Sequence, residues 1–333
     1  GDAYAIWNTE KSTDNTLTVK NGTFISRQAP YSAAPVFGYE VRNGDVYYPT
    51  ITKGIRAAEK STADTTLTLI NDLTINCCEI NGKNGNLITI DGNGKTLTTD
   101  KGNNAFVVGN RAAFKNMNIN HKNTGSVVQI KEIGSVDITD VNVNATEGAA
   151  YTYTLFNILA PGDTSTLNLT RVNVKMEVES KGQDKFAAVI RTGNTGSENR
   201  NTVIINLTDC NLDTTKATGR SGISVVPDTR ATVNLKNTKI TTKDIFAIRS
   251  CEEAINWNNA DTVLTSLSET YKEYPVEGYL AKIGDVFYTL NKAIDLANNA
   301  KANTTINLLA DYSLAAQTVN NVNGKKITLN GNG

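Results

Sequence analysis

The sequence predicts an all-β solenoid built from three short strands per coil and closed by short amphipathic capping helices. Three observations carry this. One apolar octet recurs with its phase intact, a further apolar run precedes most of its copies, and a longer segment returns about 239 residues later.

The octet is "VDITDVNV", Val136 to Val143. "LNLTRVNV" (Leu167 to Val174), "INLTDCNL" (Ile205 to Leu212) and "VNLKNTKI" (Val233 to Ile240) repeat it, and "AAFKNMNI" (Ala112 to Ile119) and "LTVKNGTF" (Leu17 to Phe24) follow it more loosely. Alternation with period two reads as a strand. Two such triplets separated by two polar residues read as two short strands joined by a tight corner. The inward set is then Val136, Ile138, Val141 and Val143, followed by Leu167, Leu169, Val172, Val174 and by Ile205, Leu207, Cys210, Leu212. Asp140, Arg171, Asp209 and Asn237 share the corner. Asn118, Asn142, Asn173 and Asn211 form an outward file whose amides can hydrogen-bond from coil to coil.

The remaining strand of each coil is the run that precedes the octet: "AFVVGN" at Ala105, "SVVQI" at Ser126, "TLFNIL" at Thr154, "AAVIR" at Ala187, "GISVV" at Gly222 and "FAIR" at Phe246. Octets start at 112, 136, 167, 205 and 233, in steps of 24, 31, 38 and 28. The shortest step suits one three-strand coil. The excess falls in loops such as "NATEGAAY" and "EVESKGQDK", which is how repeat proteins accept insertions. An antiparallel sandwich gives no reason for one octet to recur with its in/out phase preserved.

The longer repeat sets the domain organisation. "GDVYYPTITKGIRAAEKSTADTTLTLINDLTI" from Gly44 returns as "GDVFYTLNKAIDLANNAKANTTINLLADYSL" from Gly284, and "ITIDGNG" at Ile88 returns as "ITLNGNG" at Ile327. Each copy contains one helix, near 52–60 and near 291–300, the second with Leu290, Ala293, Ile294 and Ala297 on one face. A helix placed just before the first coil covers strand edges and core that a solenoid would otherwise expose, so each is expected to be a cap. Residues 1–37 read as the last coil of a preceding module and 38–277 as a complete module. Residues 278–333 read as the cap and first coils of a following one, and the chain is expected to belong to a longer tandem protein.

Composition narrows the function. Charge is balanced at 33 basic against 33 acidic residues, which removes the electrostatic footprint of a nucleic-acid binder. No apolar run reaches about 18 residues, so no membrane insertion is expected. The four cysteines, Cys77, Cys78, Cys210 and Cys251, lack metal-site spacing, and Cys210 falls on an inward position.

The octets, the Asn-rich turns, the cap helices and phrases such as "ITIDGNGKTL" resemble the right-handed parallel β-helix proteins of the pectin-lyase-like superfamily, above all repetitive bacterial surface proteins. The resemblance rests on fold-level pattern and implies no single activity. It implies a groove over one strand of successive coils, where enzymes of this kind place clustered acids, calcium, or an arginine or histidine. Here the outward positions of that strand are predicted to be Val107, Gln129, Asn157, Ser224 and Ala247, none ionisable. The only histidine, His121, lies in the polar stretch "NINHKN" and is expected to be a solvated loop residue.

Charged residues remain at strand ends: Lys131, Glu132, Arg191, Asp228, Arg230, Arg249, Glu252 and Glu253. Arg191, Asp228, Arg249 and Glu252 are the catalytic candidates of an enzyme alternative, a polysaccharide lyase or glycoside hydrolase acting on acidic polysaccharide. In that reading an arginine base works beside acids that hold calcium, the one cofactor it would need. The favoured expectation is a secreted or cell-surface bacterial module, a non-catalytic stalk or adhesin without cofactor or metal. Its expected partners are a polysaccharide or cell-surface glycan and further copies of the module. Tyr151, Tyr153, Gln129 and Asn157 are the glycan-binding candidates, and Trp257, Tyr271 and Tyr274 are aromatics suited either to sugar stacking or to covering the solenoid flank.

Overall fold

A computed structural model describes residues 6–7, 16–19, 36–100, 104–122, 124–131, 134–145, 154–159, 164–178, 186–193, 201–226, 229–249, 255–257, 261–311 and 318–331. The fold is mainly β with extensive parallel sheets, consistent with a β-solenoid. Among the described residues the larger sheets have 16, seven and four strands.

The octets form the long sheet, paired in parallel and in register. Val136 pairs with Leu167, Leu167 with Ile205 and Ile205 with Val233. Ile138, Leu169, Leu207 and Leu235 form one continuous file of ladder partners, each at most 2% exposed. Between one octet and the next the chain passes through the seven-stranded parallel sheet. Its strands Phe106–Val108, Val128–Ile130, Thr154–Ile158, Ala188–Thr192, Ser221–Val225 and Ile248–Arg249 come from the preceding apolar runs.

The corner differs from expectation in an informative way. In three copies the two halves of the octet form one continuous strand, Arg111–His121, Ser135–Ala145 and Ser165–Met176, kinked at a single residue. That residue is Asn116, Asp140 or Arg171, with φ of 55°, 57° and 53°, and Asp209 and Asn237 repeat the conformation at 56° and 46°. One left-handed residue resets the strand parity. Ile138 points inward, Thr139 and Asp140 do not, and Val141 points inward again three positions on. Asn and Asp tolerate this conformation, whereas arginine bears its full steric penalty. Arg171 is held there by two hydrogen bonds that its guanidinium donates to the Asp140 carboxylate, 2.6 and 2.8 Å, and that guanidinium keeps the Asp140 carboxyl below the usual carboxylate range.

Asparagine ladders run along the outer face. Asn142 donates to Asn118 and Asn173 to Asn142, at 3.0 and 3.1 Å. A second ladder, not foreseen, runs from Asp137 through Asn168 and Asn206 to Asn234 at 2.6–2.7 Å. Each residue satisfies its neighbour in the next strand, so the outer face fixes register as the apolar face does.

The 239-residue repeat is a structural repeat. Strands Val41–Asn43 and Val46–Tyr48 form an antiparallel hairpin, helix α1 (Ile51–Ala58) follows, and Thr65–Leu69 then pairs with Val41–Asn43 and with Ile88–Asp91. Ala281–Ile283, Val286–Tyr288, an equivalent helix (Leu290–Asn298, here α2), Thr304–Leu308 and Ile327–Asn330 repeat that order and pairing. Thr50 and Thr289 cap the two helices, their side chains accepting from the backbone N–H of Lys53 and Lys292. Ile55 and Ile294 are both buried, in two separate apolar clusters. The first cluster runs from Val41 to Tyr279 and the second begins at Ala281.

One core contact is solved differently in the two copies. A Cβ on Gly54 would stand 2.7 Å from Val41 Cγ2, whereas the second copy has Ala293 at the equivalent helix position and Ala281 at the strand position. Gly54→Ala is therefore expected to destabilise by about 1–2 kcal/mol despite its gain in helix propensity, because the added methyl overpacks a stiff valine. Val41→Ala alone should also destabilise, and the double variant should recover most of the loss. Urea unfolding of the four proteins measures the coupling, and additive losses would contradict this packing account.

Candidate functional site

The seven-stranded sheet carries the candidate site on its outward file. Ladder pairing places Glu79, Val107, Gln129, Asn157, Arg191, Ser224 and Arg249 side by side along it. Gln129, Asn157 and Ser224 stand where the sequence puts them. Arg191 and Arg249 are members of the file itself, the first inside Ala188–Thr192 and the second as the last residue of Ile248–Arg249. Ala247 drops out, since it is fully buried and its carbonyl accepts from the Gly222 N–H at 2.9 Å. The expectation of a groove without ionisable groups is thus corrected.

Geometry separates the two arginines. Arg249 donates to both carboxylate oxygens of Glu277 at 3.0 Å, and its guanidinium carbon lies 5.6 Å from the centre of the Phe186 ring. It is committed to a bidentate ion pair that closes the end of the file. Arg191 is half-buried between Asn157 and Ser224. Asn157 Oδ1 and Ser224 Oγ are buried and have no hydrogen-bond partner among the described residues. Gln129 is oriented by Asn104, whose amide donates to Gln129 Oε1 at 3.2 Å while its own oxygen accepts from the Ser126 N–H.

The other candidates separate in the same manner. Asp228, Glu252, Tyr151 and Tyr153 lie outside the described residues. Tyr271 and Tyr274 pack on Phe246, with ring centroids 4.3 and 6.1 Å away, so their rings are engaged with one another on the flank. Among the described residues no group of three or more His, Cys, Asp or Glu gathers as a metal site would require. Cys210 is buried in the apolar interior, which pushes its thiol up to about 11.

His121 corrects its expectation outright. It is fully buried at the end of Arg111–His121, with Nδ1 2.8 Å from Thr99 Oγ1 and Nε2 2.8 Å from the Gly125 carbonyl oxygen. The signal was present in the sequence: Met117, Ile119 and His121 continue the inward alternation past the polar Asn118 and Asn120. Compared with protein-family models, curated proteins and solved structures, the chain matches none of them.

Proposed function

We propose that the chain is a stretch of right-handed parallel β-helix, of the pectin-lyase-like kind with three strands per coil, from a secreted or surface-displayed bacterial protein. In this reading it is a rigid, non-catalytic stalk or adhesin that contacts glycan through the partly exposed members of the polar file, Gln129, Asn157 and Arg191. The observation that carries it is the twofold occurrence of one cap: hairpin, helix and first parallel strands recur with the same pairing about 239 residues apart. A unit that restarts in this way suits a tandem array, and rigid arrays hold a contact surface away from their anchor. The division of the core between Tyr279 and Ala281 supports a module boundary near Gly278.

One observation favours a second reading, a polysaccharide lyase or hydrolase: Arg191 and Arg249 flank Ser224 in the file. Its chemistry is incomplete. β-Elimination needs a base at the uronate C5 proton and a fixed cation or donor for the developing enolate. Arginine is not deprotonated in proteins, and Arg249 is already paired with Glu277. The full chain is therefore expected to release no unsaturated product from pectate or pectin, with or without calcium, in an ultraviolet absorbance assay. Calcium-dependent turnover that Arg191→Ala abolishes would replace the stalk reading with the enzyme one.

A further inference from the structure

We infer that the outer face of α1 forms a binding cleft for an acidic saccharide, separate from the polar file. The cleft has a volume of about 450 Å³ and is lined by Thr16, Tyr48, Pro49 and, from the helix side, Lys53, Arg56, Ala57 and Lys60. That volume falls in the range of small-ligand sites, about 300–1,000 Å³. Lys53 and Arg56 sit at i and i+3 on one face of the helix, opposite the buried Ile51, Gly54, Ile55 and Ala58, and Lys60 follows in the turn just past the Glu59 C-cap. They stand beside Tyr48 and Pro49, which are largely buried, and near the exposed Thr16, so the cleft offers its cations to an anionic group and a hydroxyl to the hydroxyls of a sugar.

Solvated helix faces are often charged, and cations in a last turn are favoured by the helix dipole. The second copy of the cap provides the control. Its inward positions keep their character, Leu290, Ala293, Ile294 and Ala297 standing for Ile51, Gly54, Ile55 and Ala58. Its outward positions change in part. Lys53 is kept as Lys292 and Tyr48 as Tyr288, but Arg56 becomes Asp295, Lys60 becomes Asn299, small Ala57 becomes the exposed Leu296, and Pro49 has no counterpart between Tyr288 and Thr289. The second cap therefore folds with one of the three cations, without the proline and without the small residue. Two of the three cations are not needed to hold this kind of cap together.

The inference shares with the proposed function only the idea that the ligand is a glycan, and the test separates the two. The full chain is titrated calorimetrically at low salt with a trigalacturonate, a sulfated trisaccharide and a neutral trisaccharide. Both acidic sugars, or one of them, should bind and weaken as salt is added; which one binds distinguishes carboxylate from sulfate recognition. Lys53→Gln/Arg56→Gln/Lys60→Gln should weaken binding about ten-fold or more. Lys53→Arg/Lys60→Arg should retain it, and unchanged thermal melting of both variants shows that the fold is intact. Gln129→Ala/Asn157→Ala should leave acidic-sugar binding as it was. Absence of acidic-sugar binding, or binding untouched by the triple substitution, overturns the cleft. Loss of binding in the Gln129/Asn157 variant alone places the ligand on the polar file, so the cleft fails while the proposed function stands.

Discussion

Leu169→Asp is expected to leave the chain unable to hold its central strands together, with a loss of about 4–5 kcal/mol or more. Leu169 is 1% exposed and stands in the file between Ile138 and Leu207, with apolar side chains above, below and across the interior. An aspartate there has no cation to pair with in that file and no route to water. Leu169→Ala separates the two contributions: it removes only transfer energy and leaves a cavity, for a loss of about 2–5 kcal/mol. Each parallel strand is held by its two ladder neighbours, so damage at one position propagates to both. Amide hydrogen exchange should therefore lose protection along Ser135–Ala145 and Asn201–Thr208 as well as at the substituted strand. An unchanged urea midpoint for Leu169→Asp would show that the file is not buried as the ladder places it.

The octet strands were legible to the residue because one face is wholly apolar and the other wholly polar, and period two then leaves a single register. The corner was legible as a position but not as a conformation. Two polar residues between triplets mark a turn, yet only the positive φ at Asp140 and its equivalents shows that a continuous strand is kinked rather than broken. The helices were found with their ends shifted by one or two residues, because Thr50 and Thr289 cap one position earlier than the apolar pattern suggests.

The polar file was harder to read for a physical reason. Its strands are two to five residues long, and several are buried on both faces: all of Phe106–Val108 and Ser221–Val225, and all but Arg191 within Ala188–Thr192. Alternation is lost when both faces are covered, so outward positions could be assigned only by analogy between coils. In "FAIR" the file position is Arg249, two residues after Ala247. In "AAVIR" it is Arg191, the one polar side chain of that run. The cleft at α1 left no sequence signal except by comparison of the two copies of the repeat.

His121 carries the last expected result, a fall in stability on acidification that belongs to one side chain. The Gly125 carbonyl can only accept, so Nε2 bears the proton and Nδ1 accepts from the Thr99 hydroxyl. The neutral ring is thus fully satisfied, and a second proton would face a hydroxyl already turned toward it. Burial, partly opposed by the Gly125 hydrogen bond, pushes the imidazole from 6.5 down to about 4. Above pH 6.5 folded and unfolded chains are both neutral at this residue and it contributes no pH dependence. Below 6.5 the unfolded chain takes up a proton that the folded chain refuses, so stability falls by about 1.4 kcal/mol per pH unit until about pH 4, a total of roughly 3 kcal/mol. Carboxylates also titrate toward the lower end of that window, so the measurement is a difference: urea midpoints of wild type and His121→Gln compared from pH 7 to pH 4. The wild type should lose more, with the divergence beginning near pH 6.5. As the chain has one histidine, its imidazole resonance can be titrated without assignment ambiguity. A midpoint near 6.5 in the folded protein, or parallel stability curves for the two proteins, would mean that His121 is solvated after all and that the end of its strand is open to water.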